Sequence, residues 1–192
     1  MTPREVAVQA ELTDTRAWLD EYAAAPAPVG AALGLQVREA GALAMLRSHI
    51  PFSHFNMVLT LGCPAPVNEA AFAAIETFYG SARHWVLVND HSQPPNLAAR
   101  LRARGYGSDG SWDRVVLRGG VQPARWARHA EGCELVDAGN AEEWITFIRA
   151  CYGMPPPVGH WLQALVARPR WIHALCRDGG HAGAKVVMVR SA

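Results

Sequence analysis

The chain is almost without lysine. Of its 18 basic residues only Lys185 is lysine, and the rest are arginine. Charge of either sign is scarce: 18% of residues are charged, and the formal net charge is +1 over 192 residues. That leaves no basic field to gather nucleic acid or an anionic membrane, so neither is expected as a partner. No run approaches the ~20 apolar residues of a membrane span. The N-terminal "MTPREVAVQAELTD" carries charge where a signal peptide needs an apolar stretch, which predicts a soluble, cytoplasmic protein. Cysteine is also sparse. Cys63, Cys133, Cys151 and Cys176 form no C-x-x-C pair, and in a cytoplasmic chain all four are expected as free, mostly buried thiols.

Several motifs are missing as well. No G-x-S-x-G elbow occurs, which removes the usual serine-hydrolase signature. "NDHS" (89–92) cannot act as a triad, because three consecutive residues do not converge on one reacting atom; it reads as a polar turn capping the helix that opens at Pro94. The histidines, including His49, His54, His84 and His91, lack the H-E-x-x-H spacing, so no metal is expected. Most of the seven tryptophans are expected in the core. "GYGSDG" (105–110) matches the dinucleotide spacing Gly-x-Gly-x-x-Gly, but a helix pattern precedes it and a strand pattern follows. A phosphate there would meet the negative end of the helix dipole, so Gly105 is read as a helix cap instead.

What is present is apolar: half the residues are hydrophobic, enough for a real core. Helices are expected from about Thr13 or Asp14, with Leu12, Thr15, Leu19 and Tyr22 on one face, and in a short piece over 29–33. Two strands follow around a turn at Glu39 to Gly41, then an apolar strand within "HFNMVLTLG". "VNEAAFAAIETFYG" is an amphipathic helix with Phe72, Ile75 and Phe78 or Tyr79 inward. A short strand in "RHWVLVND", a helix in "NLAARLRAR" and a strand in "SWDRVVLRGG" complete this part. Residues 119–131 mix Gly, Pro and Arg without an apolar period and read as a linker. Beyond it come a strand "CELVDA" and a helix started by an Asn140/Glu143 capping box, with Trp144, Phe147, Ile148 and Cys151 on its inner face. A helix over about 158–167 and a hairpin turning at Asp178-Gly179-Gly180 end the chain.

The resulting order is α-α-β-β-β-α-β-α-β over 12–118 and β-α-α-β-β over 133–190. It resembles the GNAT N-acetyltransferase superfamily. "LAARLRARGY" is similar to that family's late helix. "FNMVLTLGCPAPVNEAAFAAIETFYG" is similar to the central strand and next helix of the first lobe in tandem acetyltransferases, and "RPRWIHALCRDGGHAGAKVVMV" to the family's second and third strands in the second lobe. The implied fold class is α/β (α+β): a GNAT-like mixed, mostly antiparallel central sheet flanked by helices, then a partial second copy. The implied domains are a degenerate lobe over 1–118, the linker 119–131, and the front half of a second lobe over 132–192, truncated after its third strand.

The resemblance implies acyl transfer from acetyl-CoA to a small-molecule or peptide amine. The family's cofactor loop follows the central strand with the pattern Gln/Arg-x-x-Gly-x-Gly/Ala, offering successive backbone N–H groups to pyrophosphate. Here that stretch is "LGCPAPVNEA", which lacks the pattern, and Pro64 and Pro66 have no N–H to donate. The family's general-acid tyrosine, four residues before the late helix's terminal glycine, is replaced by Leu101. The first lobe is therefore expected to be catalytically silent, with no cofactor-binding residues and no assigned catalytic residue. Acetyl-CoA is expected only for a complete second lobe and not for this chain, which is either a fragment of a longer tandem enzyme or a protein that has lost catalysis. The unpaired strand "AKVVMV" is expected to invite self-association. By the same resemblance, the loop between the second lobe's helices borders the acceptor pocket, making Tyr152, His160 and Trp161 the acceptor-site candidates.

Overall fold

The computed structural model describes residues 1–110, 133–166, 168, 171–178 and 181–189. The fold is mixed α and β with mostly antiparallel strand pairing. It divides into two compact units: Met1–Arg16 with Leu35–Val116, and Ala17–Gly34 with Leu117–Ala192. The helix α1 (Pro3–Ala24) runs through the first division. The expected strand in "SWDRVVLRGG" and the linker at 119–131 lie outside the described residues.

Helix α1 begins ten residues earlier than its apolar pattern predicts. Thr2 and Glu5 form a reciprocal capping box: Glu5 N–H donates to Thr2 Oγ1 at 3.2 Å, and Thr2 N–H to Glu5 Oε2 at 2.7 Å. Pro3 sits at the first helical position, where its missing N–H costs nothing. Thr13 and Asp14 are thus interior, and Leu12 is exposed, while Thr15, Leu19 and Tyr22 are buried as expected.

In the first unit, β1 (Gln36–Ala40), β2 (Leu43–Arg47), β3 (Met57–Leu59) and β4 (Trp85–Val86) form one sheet in that order. β1–β2 and β2–β3 are antiparallel; β3–β4 is parallel, pairing Met57 with Trp85 and Val58 with Val86. A parallel pair needs a crossover, supplied here by α3 (Glu69–Tyr79). Asn68 caps α3 by accepting Ala71 N–H at 3.0 Å. Its Phe72, Ile75 and Tyr79 pack with Leu43, Met45, Val58 and Leu61 of the sheet side and with Leu97 and Leu101 of α4 (Leu97–Ala103). Tyr79 Oη lies 2.8 Å from both Leu46 O and Met57 O, which face each other across β2 and β3. Edge strand β1 is exposed throughout, whereas β3 is wholly buried.

In the second unit, β5 (Cys133–Leu135), β6 (Trp171–Asp178) and β7 (His181–Val189) form an antiparallel sheet in that order. Between β5 and β6 run α5 (Ala141–Tyr152) and α6 (Val158–Val166); α2 (Ala27–Leu33) also belongs to this unit. The hairpin β6–β7 places Asp178 opposite His181, with a register shift between Cys176 and Arg177. Asn140 stands at the N-terminus of α5 but does not form the expected capping box. Its Oδ1 accepts Asp137 N–H at 2.9 Å and its Nδ2 donates to Leu135 O at 3.0 Å, closing the strand-to-helix turn instead. Glu143 is engaged by Arg177. The inner face of α5 is Ala141, Trp144, Ile145 and Ile148; Cys151 is exposed, in the last turn of a helix that ends one residue later at Tyr152 and is capped by Gly153 (φ 59°).

The cysteines correct the expectation of four free thiols. Cys133 and Cys176 are facing partners on β5 and β6 and form a disulfide, leaving Cys63 buried and Cys151 exposed as free thiols. Among the described residues no helix is long and apolar enough to cross a membrane.

Candidate functional site

Ligands of sheets with parallel strands sit beyond the strands' carboxyl ends, where the chains diverge. In the first unit that place is the mouth between β3 and β4. Strand pairing there ends with Leu87 N–H donating to Val58 O at 3.1 Å. Thr60 then turns the chain at φ 62°, a left-handed conformation that is strained for a β-branched residue. Three neighbours hold it. Its N–H donates to Glu11 Oε1 at 3.4 Å, and its hydroxyl faces the carbonyls of Ala42 and Leu59. Glu11 comes from α1, is only 4% exposed, and also accepts from Asn89 Nδ2 at 3.4 Å.

Beyond Thr60 the mouth is filled by protein. Gln93 N–H donates to Gly62 O at 2.8 Å, and Val67 N–H donates to Gln93 O at 3.0 Å. Gly62 has φ 77°, and a Cβ on it would stand 2.6 Å from Gln93 O, 2.8 Å from Gln93 N and 2.9 Å from Leu97 Cδ2. The loop "NDHS" supplies the scaffold for Gln93. His91 N–H donates to Asn89 Oδ1 at 2.9 Å, and Asn89 N–H to Ser92 Oγ at 3.1 Å. It is therefore the expected polar turn, but it braces itself. The helix α4 starts at Leu97, and its N-cap Asn96 makes no side-chain capping bond.

The N-terminus of α3 is similarly engaged. Besides the Asn68 cap, its first residue is Glu69, whose carboxylate accepts from Arg100 Nη2 at 2.6 Å and Arg104 Nη2 at 2.5 Å. These hydrogen bonds, Arg104's first, hold the Glu69 carboxyl below its usual range. Both guanidiniums lie over the Phe72 ring, 5.1 and 3.9 Å from its centroid. The helix dipole and the two nearby cations thus already face an internal carboxylate. Leu101, which stands where the resemblance would want a general acid, is buried in the core at 6% exposure.

A second constellation lies in the same unit. His84 Nδ1 is 2.8 Å from Ala82 O and Nε2 is 2.8 Å from Tyr106 Oη. A carbonyl only accepts, so Nδ1 carries the proton, and neutral Nε2 accepts from the tyrosine hydroxyl. Burial holds the His84 pKa below its ordinary value, partly offset by the Ala82 carbonyl. Its ring stacks on Tyr79 with centroids 3.9 Å apart and planes 11° from parallel. Desolvation pushes the Tyr106 phenol up, and the Glu76 charge adds to this. The pair is a hydrogen-bonded strut between "RHW" and the chain just beyond α4, whose cap is Arg104, with the expected cap Gly105 (φ 87°) one residue further on.

The three acceptor-site candidates of the second unit fall in different environments. Trp161 is fully buried; its indole N–H donates to Glu21 O at 2.7 Å and its ring meets Tyr22 edge-on at 5.2 Å. Tyr152, at the last position of α5, is 43% exposed, and His160, on α6, is also exposed. A wholly enclosed indole offers no surface to a ligand, so Trp161 does not share a face with the other two. Among the described residues no His, Cys, Asp and Glu gather in a metal-binding group.

Sequence reading passes over Glu11 and Gln93, which lie far from the loop they fill: 49 residues separate Glu11 from Thr60. Neither carries a local motif. The Cys133–Cys176 pair, by contrast, could be found by aligning "CELV" antiparallel with "IHALC". The chain matches no family model, no curated protein and no solved structure.

Proposed function

We propose that the chain is an N-acetyltransferase-family protein, related to enzymes that move an acyl group from acetyl-CoA to a small-molecule or peptide amine, and that it lacks a complete coenzyme site of its own. The observation that carries this reading is the connectivity of the two units. The first runs through an antiparallel three-strand meander, a crossover helix and a parallel fourth strand, followed by α4. From β5 onward the second runs strand, two helices, two strands, in sheet order β5-β6-β7, with α2 joining it from earlier in the chain. Together they support a GNAT-like lobe followed by the opening half of another. The reading includes a cytoplasmic location and no nucleic-acid or membrane partner.

A specific observation favours a second reading, a non-catalytic GNAT-like module. The mouth between β3 and β4 holds Glu11 and Gln93, and Pro64 and Pro66 interrupt the donors of the loop. In that reading the first unit serves as scaffold, and β7, paired only with β6 among the described residues, is the edge through which copies associate.

Incubating the chain with radiolabelled acetyl-CoA and a panel of primary amines tests the incomplete site that both readings share, and the state of association separates them. The family reading with an incomplete site predicts no turnover above the uncatalysed rate. Steady acetylation of any amine would overturn the incomplete-site part. A concentration-dependent shift in size-exclusion chromatography supports the module reading, and a strict monomer removes its edge-pairing form.

A further inference from the structure

We propose that the Cys133–Cys176 disulfide is a thiol-responsive clasp on edge strand β5, opened by dithiol or glutathione-class reductants without global unfolding. The inference stands apart from the acyltransferase reading and rests on placement.

β5 is three residues long and pairs only with β6 among the described residues. Its ladder continues one step further, with Val136 N–H donating to His173 O at 2.9 Å. In an antiparallel pair, hydrogen-bonded and non-hydrogen-bonded positions alternate. If Val136 and His173 are hydrogen-bonded, then Glu134 and Leu175 are too, and Cys133 and Cys176 fall on a non-hydrogen-bonded position. That is the position at which facing side chains lie closest. Among the described residues the disulfide is thus the outermost tie of this short ladder, at a step that carries no backbone hydrogen bond of its own.

Two further features make the bond accessible and consequential. Both cysteines are only half-buried, so an attacking thiolate can reach them. Immediately after Cys176 the β6–β7 register shifts, and Arg177 turns to two carboxylates. It reaches Glu134 of β5 and, through Nε and Nη2 at 3.1 and 2.6 Å, Glu143 of α5. Once the disulfide opens, this arginine and a few ladder bonds are what hold β5 among the described residues. Short edge strands with few bonds occupy the low end of local stability.

The chemistry is ordinary exchange. A reductant thiolate attacks one sulfur, the S–S bond breaks, and the other sulfur leaves as a thiolate that takes up a proton. The reductant's second thiol displaces the first cysteine, which is protonated in turn. Two electrons and two protons move to Cys133 and Cys176, and the dithiol departs as its own disulfide. Glutathione does the same with two molecules.

The test uses the full-length chain with native-state thiol trapping and hydrogen exchange read by mass spectrometry. In the oxidised protein, alkylation after denaturation labels Cys63 and Cys151 only; after reduced glutathione under native conditions it labels all four. Reduction is expected to raise amide exchange in the β5 peptide at least tenfold, leave α3 unchanged, and reverse on adding oxidised glutathione. The Cys133→Ser/Cys176→Ser variant is expected to show the fast β5 exchange without reductant. The wild-type reduction cycle is the independent measurement should that variant fail to fold. Four reactive thiols after treatment with oxidised glutathione, reduction only in denaturant, or reduction that leaves β5 exchange unchanged would each overturn the proposal.

Discussion

Gly62 and Gln93 occupy each other's space: the carbonyl of Gly62 accepts the Gln93 N–H at 2.8 Å, and a methyl group on Gly62 would stand 2.6 Å from the Gln93 oxygen. The loop after β3 and the loop after β4 are therefore closed on each other through backbone, where a cofactor-binding protein would hold its ligand. Gly62→Ala adds both a left-handed strain at φ 77° and a collision with backbone that cannot rotate away. The expected loss is roughly 2–4 kcal/mol in urea denaturation. A loss under about 0.5 kcal/mol would show that the two loops are not locked.

Glu11 is the other half of that closure. Glu11→Ala leaves the Thr60 N–H and the Asn89 amide without this acceptor, at about 1–3 kcal/mol. Glu11→Gln retains one oxygen for Thr60 and is expected to lose less. Equal losses for the two variants would mean that packing of the side chain, and not its acceptor oxygens, holds the turn.

His84 makes stability depend on pH. Its folded pKa lies below its unfolded value near 6.5, because burial disfavours the imidazolium. Its contribution is complete above about pH 6.5 and is lost as pH falls toward the folded pKa, since the unfolded chain takes up the proton first. The slope from this one group is at most about 1.4 kcal/mol per pH unit. Protonation also removes the lone pair that accepts from Tyr106. Comparing the pH dependence of wild type with His84→Gln isolates the effect, and superimposable slopes below pH 6.5 would contradict it.

Tyr79 ties β2 to β3 from within α3. Burial pushes its phenol well above the ordinary tyrosine value, so it stays protonated and donates over the whole working range. Tyr79→Phe leaves the Leu46 and Met57 carbonyls without that donor and is expected to cost about 1–3 kcal/mol. An unchanged denaturation midpoint would show that the hydroxyl is dispensable.

Much of the architecture was legible where local chemistry and burial agree. Phe72, Ile75 and Tyr79 show one face of α3, and Asn68 and Gly80 mark its ends. The hairpin β1–β2 turns where Gly41 allows φ 62°. The start of α1 was missed because its first turns bury little; the Thr2–Glu5 box and Pro3, not an apolar stripe, set it. Helical spacing points Cys151 inward, but spacing alone does not show where a helix outruns the core. The closed mouth was legible only in part. Pro64 and Pro66 announce missing donors, whereas Glu11 and Gln93 reach it by tertiary contact. Asn140 shows the same limit: the residue type was right for a cap, and its side chain serves the preceding turn instead.

The proposed absence of a coenzyme site in the first unit rests on the contacts that close its mouth. Isothermal titration of acetyl-CoA into the full-length protein tests it directly, with amide exchange of 60–69 followed in the same samples. The account predicts no saturable heat up to millimolar ligand and no added protection in that segment. A saturable isotherm accompanied by protection of Gly62 to Glu69 would contradict it.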